Sequence, residues 1–223
     1  MLVLPALGGM AGARSARRVV DFLVAVVVAL LVVNLPVALL APRAWGWFFT
    51  FNAGRGAENS LWNALGVQQG TLLELLSTGP VVVASLLAAW AAARTAAADG
   101  REARAVRLGA ALALTVWIAT NKVWSPQYAL YGFLAGALAA APWKAFGLLT
   151  AASLVDYWAA FQVRALHCNP ADPAGCQNPG FLYGVFHPVG LVRSLLWLGL
   201  AAWIGRELWR EVRAHAVPTV PFR

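Results

Sequence analysis

The stretch VVDFLVAVVVALLVVNLPVALLA, residues 19–41, has one charged residue, Asp21, among its 23 positions. A helix needs about 20 predominantly apolar residues to cross the hydrocarbon core of a bilayer. This stretch therefore predicts a transmembrane helix. The whole chain agrees, because 61% of its 223 residues are apolar and only 12% are charged, against roughly half and a quarter in soluble domains. This excess excludes a disordered, collagen-like or disulfide-framed chain and favours a multi-pass membrane protein.

Six segments share this character and predict an all-α, polytopic bundle that forms a single transmembrane domain, residues 1–223. The predicted helices are residues 19–41, 72–93, 106–120, 126–141, 144–163 and 188–205. Gly132 and Gly136 form a GxxxG step in the fourth helix, which predicts close helix packing. Residues 1–13 are expected to be a tail or the remnant of another helix, because Arg residues follow this stretch instead of preceding it as in a signal peptide.

The positive residues are spread unevenly between the segments. Of the 17 basic residues 15 are Arg, and they cluster before the first helix, between the second and third, and after the sixth. Cytoplasmic loops carry an excess of Lys and Arg. Both termini are therefore expected in the cytoplasm of a cell-membrane protein, with residues 42–71, 121–127 and 164–187 outside. The net charge of +8 reflects this topology, so no nucleic-acid partner is expected.

Both cysteines, Cys168 and Cys176, lie in the last outer segment. Outside the cytoplasm a disulfide between them can persist, and the chain-entropy model gives it roughly 2.5 kcal/mol. Two alternatives stay open. One is a pair of free thiols, and the other is a zinc site with His167 and His187. The spacing is not a common zinc pattern, so no metal is predicted.

The first outer segment contains an aromatic cluster, WGWFFTF at residues 45–51, followed by Arg55 and Glu58. Aromatic rings favour the depth of the lipid headgroups. Residues 58–67 can form a short surface helix. This helix would turn three apolar side chains towards the membrane: Leu61, Trp62 and Leu65. For Arg55 two interpretations are open: a solvated ion pair with Glu58, or a contact to an anionic group above the bilayer.

The second outer segment, TNKVWSPQY at residues 120–128, places many polar groups between two helices with almost no spacer. Pro126 suits the first turn of the fourth helix, and Ser125 can cap it. A helix N-terminus beside Lys122 attracts an anion, because the free N–H groups and the helix dipole both favour negative charge. We expect a lipid phosphate there; the alternative is a capped turn with a snorkelling lysine.

Asp156 lies inside the fifth helix. An ionised carboxylate at the bilayer centre costs roughly 2.5–3.5 kcal/mol on insertion scales. The side chain should therefore face the bundle interior or an aqueous cavity. Arg55, Lys122 and Arg193 are candidate partners, and both a structural ion pair and a role in a site stay open.

Residues 121–128, NKVWSPQY, resemble the NKVxSPQY signature of glycosyltransferase family 87. Residues 55–62, RGAENSLW, resemble the RG…SLW segment that precedes it in actinobacterial members, and Asp156 fits the same pattern. The resemblance covers about residues 45–156. This family consists of GT-C type membrane enzymes that transfer a sugar, typically mannose, from a polyprenyl-phosphate carrier to a lipid or polymer acceptor outside the cytoplasmic membrane. The resemblance implies a GT-C-like fold and hexosyltransferase activity, and no cofactor.

By this resemblance six residues contact the donor phosphate: Arg55, Asn121, Lys122, Ser125, Gln127 and Tyr128. Transfer of this kind is inverting and needs a carboxylate that deprotonates the acceptor hydroxyl. Glu58 and Asp156 are the candidates, although neither matches the family's usual catalytic position in the first outer loop. Members are also about twice this length, so the chain is expected to correspond to the C-terminal half. The expected partners are the sugar donor, a lipid or glycan acceptor, membrane lipids and a separate N-terminal half.

Two other interpretations remain open. The first is a non-catalytic protein that binds or transports a polyprenyl-phosphate carrier, and the second is a structural subunit with an incidental groove. Transport predicts polar residues spread through several helices, whereas here they cluster on one side of the predicted membrane.

Overall fold

The structure of the protein is a computed structural model, which describes residues 3–99, 102–125, 127–168 and 175–216. Throughout this part of the chain the secondary structure is helical, apart from one isolated bridge between Glu58 and Val123. The prediction of an all-α protein is therefore confirmed. The helices are α1 (Val3–Gly12), α2 (Ala16–Leu40), α3 (Pro42–Gly54), α4 (Leu61–Ala64), α5 (Thr71–Asp99), α6 (Glu102–Thr120), α7 (Tyr128–Leu138), α8 (Trp143–Ala165), α9 (Pro179–Phe181) and α10 (His187–Ala216).

Within the described residues, four helical stretches are long and apolar enough to span a membrane, which indicates a membrane protein. They are Ala16–Leu40, Thr71–Ala96, Ala103–Thr120 and Pro179–Ala214. The last of these joins α9 to α10 through a π-helical turn, Leu182–Phe186. Each of the six predicted segments contains a helix, but α7 has only 11 residues, and α8 carries the polar Asp156 and Gln162 in its second half. Pro126, the predicted first residue of the fourth helix, lies outside the described residues.

The core is built around α5, α6 and α10 and is rich in alanine. Ala88, Ala92 and Ala111 are all fully buried there. Helix α1 packs against α5 so closely that a Cβ on Gly8 would lie 2.1 Å from the carbonyl oxygen of Ala89. Small residues allow helix backbones to approach at this distance. The N-terminal stretch is therefore a packed helix of the bundle.

Helix α2 has no buried residue along its 25 positions. It is also the most apolar of the four candidate spans. A helix that is apolar all round needs an apolar environment on all sides. The structure thus leaves the whole circumference of α2 available to lipid.

The first predicted outer segment is more helical than expected and is partly buried. Its aromatic cluster forms α3, which has no buried residue. The predicted surface helix over residues 58–67 shortens to α4, with Ser60 accepting a capping hydrogen bond from the N–H of Asn63. Leu61 and Trp62 are buried in the protein, so the prediction that they face the membrane is wrong. Their burial follows from the contacts of α4 with α10.

Replacing Gly132 with Ala is expected to lower the free energy of unfolding by about 1–3 kcal/mol through overpacking. A Cβ at this position would lie 2.2 Å from Cη2 of Trp197, whose side chain is fully buried. Gly147→Ala is the matched control, because a Cβ there meets nothing within 4 Å. Unfolding in detergent would be compared for both variants. Equal stability of Gly132→Ala and the parent would contradict the close packing.

Candidate functional site

Two of the segments predicted to face outward are joined by backbone hydrogen bonds. The N–H of Glu58 donates to the carbonyl oxygen of Lys122 at 2.9 Å, and the N–H of Trp124 donates to the carbonyl oxygen of Glu58 at 2.9 Å. The indole Nε1 of Trp62 adds a bond to the carbonyl oxygen of Thr120 at 2.6 Å. The loop after α3 is thereby fixed beside the loop between α6 and α7, although α4, α5 and α6 separate the two loops in sequence.

A cavity of about 760 Å³ lies beside this pairing. Its walls come from the loop after α3, the start of α7, the last turns of α8 and the π-helical turn before α10. The polar lining consists of Arg55, Glu58, Asn59, Ser125, Gln127 and Arg164. The aromatic lining consists of Trp124, Tyr157, Phe161 and Phe186. A concave site with apolar walls and a few convergent polar groups suits a ligand that has both an apolar and a polar part.

Arg55 and Glu58 form an ion pair at the cavity surface. Arg55 Nε donates to Glu58 Oε1 at 3.0 Å, and Nη2 contacts the second carboxylate oxygen. This hydrogen bond and the attraction between the charges raise the pKa of Arg55, so its guanidinium stays charged at every physiological pH. The ion pair with Glu58 is therefore present, and a contact between Arg55 and an anionic group in the cavity remains compatible with it.

Of three residues in the second predicted outer segment, two line the cavity and one does not. Ser125 and Gln127 line it. Tyr128 packs instead against the rings of Trp117 and Trp124, with ring centroids 5.1 and 6.0 Å apart. Gln127, not Ser125, is the residue before α7, and no side chain caps this helix.

Lys122 and Asn121 lie on the other side of the same loop. Lys122 Nζ is 2.5 Å from Oε1 of Glu74 and donates to the carbonyl oxygen of Ala53 at 3.3 Å. Both residues line a separate pocket of about 270 Å³ together with Glu74. The six predicted phosphate contacts are thus divided: Arg55, Ser125 and Gln127 meet at the cavity, while Lys122 and Asn121 do not reach it.

Asp156 is fully buried behind the cavity wall. Its Oδ1 lies 2.6 Å from Nη1 of Arg193, the one of its three candidate partners that is in reach. It also accepts hydrogen bonds from Nε1 of Trp124 at 2.7 Å and from Nδ2 of Asn59 at 3.2 Å. A carboxylate without access to a ligand cannot take a proton from it. Of the two candidate bases, the structure leaves Glu58 at the cavity surface.

One face of α8 contributes residues that the sequence did not single out. Tyr157, Phe161 and Arg164 line the cavity, and their spacing of four and three residues places them on one helix face. Arg164 adds a second positive charge, and its guanidinium lies 6.0 Å from the ring of Phe161. The periodicity of these residues was the available signal, but in a helix with apolar residues on every side it does not distinguish a cavity from lipid.

The structure joins Cys168 and Cys176 in a disulfide. Cys168 lines the cavity and belongs to a small cluster with Leu182 and Phe186. Bonded sulfurs are not thiolate ligands, and within the described residues no group of His, Cys, Asp and Glu could hold a metal. Residues 169–174, between the two cysteines, lie outside the part of the chain that is described.

No protein-family model matches this chain, no curated protein matches it, and no solved structure matches it. The class of this protein therefore has to be defined from its structure alone. These are helical structure throughout the described part, four stretches long and apolar enough to span a membrane, and a cavity that combines charged and aromatic side chains.

Proposed function

We propose that this protein is a membrane glycosyltransferase that takes a sugar, mannose in the family it resembles, from a polyprenyl-phosphate carrier to an extracytoplasmic lipid or glycan acceptor. The observation that supports the proposal is the lining of the cavity. Two arginines, one carboxylate and three neutral hydrogen-bonding side chains meet there beside four aromatic rings. A polyprenyl-phosphate sugar has the matching parts: an anionic phosphate, a ring of hydroxyl groups and an apolar chain.

In this proposal each lining residue has a chemical role. Arg55 and Arg164 hold the phosphate, because guanidinium groups bind phosphate through charge-assisted hydrogen bonds. Ser125 and Gln127 bind sugar hydroxyls, and the aromatic rings cover the first isoprene units. Lys122 stays paired with Glu74 outside the cavity.

Glu58 is the general base of the proposed transfer. The acceptor oxygen forms a bond to the anomeric carbon while the bond from that carbon to the phosphate oxygen breaks. The acceptor proton goes to Glu58, and the electron pair of the broken bond leaves with the polyprenyl phosphate. Arg55, hydrogen-bonded to Glu58 at 3.0 Å, holds this carboxylate in place before the acceptor arrives.

Binding of a short-chain polyprenyl-phosphate mannose to the purified protein tests the donor site. Arg55→Gln is expected to weaken binding by about ten- to a hundredfold, since a charge-assisted contact is worth roughly 1.5–3 kcal/mol. Arg55→Lys should retain part of the affinity, because the charge remains while the planar fork is lost. Lys122→Ala is the control and should bind like the parent. The proposal fails if the parent does not bind, or if Arg55→Gln binds as tightly as the parent.

The proposal includes the membrane arrangement with six spans and a GT-C-like fold, the cavity outside and both termini in the cytoplasm. Gln69 and Lys144 are exposed residues on the two predicted sides. Each would be changed to Cys in a Cys168→Ser/Cys176→Ser background and exposed to an impermeant thiol reagent on intact cells. Position 69 is expected to react at once, and position 144 only after permeabilisation. The reverse pattern would invert the topology.

A further inference from the structure

The ion pair between Asp156 and Arg193 is buried almost completely, with each side chain 1% exposed. It connects α8 to α10 at 2.6 Å between Oδ1 and Nη1. Removing two charges from water is costly, so a buried pair is weak evidence of stabilisation by itself. Its other contacts indicate what it does in this protein.

The pair holds two residues that line the cavity, Trp124 and Asn59. Trp124 donates from Nε1 to Asp156 Oδ2 at 2.7 Å, and its ring lies 3.9 Å from Cζ of Arg193. Asn59 donates from Nδ2 to Asp156 Oδ1 at 3.2 Å, and its backbone oxygen accepts from Arg193 Nη2 at 2.6 Å. Both partners of the ion pair therefore contact both residues of the wall.

Asn59 has a backbone conformation that suits its residue type, and it has a close neighbour in α10. Its φ of +45° lies in the left-handed region, which few residue types other than Gly and Asn adopt readily. Helix α10 also approaches it closely, since a Cβ on Gly190 would lie 2.8 Å from Asn59 Oδ1. Asn59 directly follows Glu58, so whatever fixes Asn59 also fixes the backbone that carries the cavity's carboxylate.

We propose that Asp156 and Arg193 are positioning residues, which hold Trp124 and the Glu58–Asn59 backbone at the cavity wall without touching the ligand. The identity of the ligand rests on the function proposed above, whereas the mechanical role does not. Asp156 orients the indole through its Oδ2, and Arg193 lies over the same ring, with Cζ 3.9 Å from the ring centroid. The shape of the cavity thus depends on two charged side chains that are buried behind its wall.

The test replaces the whole pair by apolar residues of similar volume, Asp156→Leu/Arg193→Met. Replacing a buried ion pair completely is often neutral for stability, whereas removing one partner is not. Arg104→Met/Glu211→Leu is the matched control, because that ion pair of 2.7 Å also joins two helices but lies at the opposite end of α10. If the first double variant does not fold, the exchange Asp156→Arg/Arg193→Asp is made instead. It keeps two opposite charges between α8 and α10 and removes the carboxylate that accepts from Trp124.

Two measurements are made on each variant. The first is hydrogen exchange of the Trp124 indole N–H by NMR, with the Trp62 indole N–H as internal reference, since the latter bonds to a backbone carbonyl and not to the pair. The second is the affinity for a short-chain polyprenyl phosphate. We expect Trp124 exchange to accelerate at least tenfold with Trp62 unchanged, and the affinity to fall about ten- to a hundredfold, with neither changing in the control.

The positioning role is overturned if a folded variant keeps the parent's affinity, or if affinity falls while Trp124 exchange stays slow. If the parent itself does not bind polyprenyl phosphate, the proposed function fails. The exchange measurement then decides alone whether the pair holds the wall: slow Trp124 exchange in the variant overturns it, and fast exchange supports it.

Discussion

Glu58→Gln is expected to lower the rate of sugar transfer by about 10²–10⁴-fold, the usual contribution of a general base, while donor binding stays within a few-fold of the parent. The amide keeps the size of the side chain and can still accept a hydrogen bond from Arg55, but it cannot take the acceptor proton. Transfer would be followed with polyprenyl-phosphate mannose and a hydroxyl-bearing lipid acceptor in vesicles.

Glu74→Gln is a matched control for this experiment. Glu74 also pairs with a cation near the cavity, Lys122, but it lines the smaller pocket on the other side of the loop. It should transfer like the parent. Unchanged transfer in Glu58→Gln would remove Glu58 as the base. If the parent binds the donor and transfers nothing with any acceptor, the chain is assigned to the alternative of a carrier-binding protein without catalysis.

Arg193→Met alone is expected to lower the free energy of unfolding by about 3–5 kcal/mol, because it leaves the Asp156 carboxylate buried without a counter-charge. Adding Asp156→Leu to this variant should recover most of the loss. The effects of the two substitutions on the free energy of unfolding are then not additive, as expected for two side chains 2.6 Å apart. Chemical unfolding in detergent would measure both.

Arg104→Met serves as the reference for a pair that is open to solvent, since the Arg104 side chain is 57% exposed. Exposed pairs contribute about 1 kcal/mol or less. If the single Arg193→Met variant is as stable as the parent, the contact with Arg193 does not offset the burial of Asp156. The account of the buried pair would then be wrong.

The helical class and the main apolar segments could be predicted from the sequence because they depend on local composition. Residues 19–41 show this best, since Asp21 is the one charged residue among their 23 positions, and α2 covers nearly all of them. Helix α1 was harder to predict. Its ten residues are too few to span a bilayer, and only the close approach of Gly8 to Ala89 shows why they are helical.

Several site residues could be predicted from the sequence. Which of them line the cavity, and which line the separate pocket beside Glu74, could not. Residues 120–128 look like one polar cluster in sequence, but backbone pairing with Glu58 turns Lys122 towards Glu74, while Ser125 and Gln127 face the cavity. For Asp156 the sequence left three cationic partners open. Arg193 is the partner because α8 and α10 pack against each other and bring the two side chains within 2.6 Å. This is a long-range property that no local pattern encodes.

The partners Asp156 and Arg193 are made at different times during biosynthesis. Asp156 precedes Arg193 by 37 residues (193 − 156) in the chain. At roughly 5–20 residues per second, the ribosome therefore delivers the carboxylate several seconds before its counter-charge. Asn59 is made earlier still, 134 residues ahead of the guanidinium that binds its carbonyl oxygen. Helix α10 thus completes the wall, and a nascent chain arrested before α10 contains both Arg55 and Glu58 but no finished cavity.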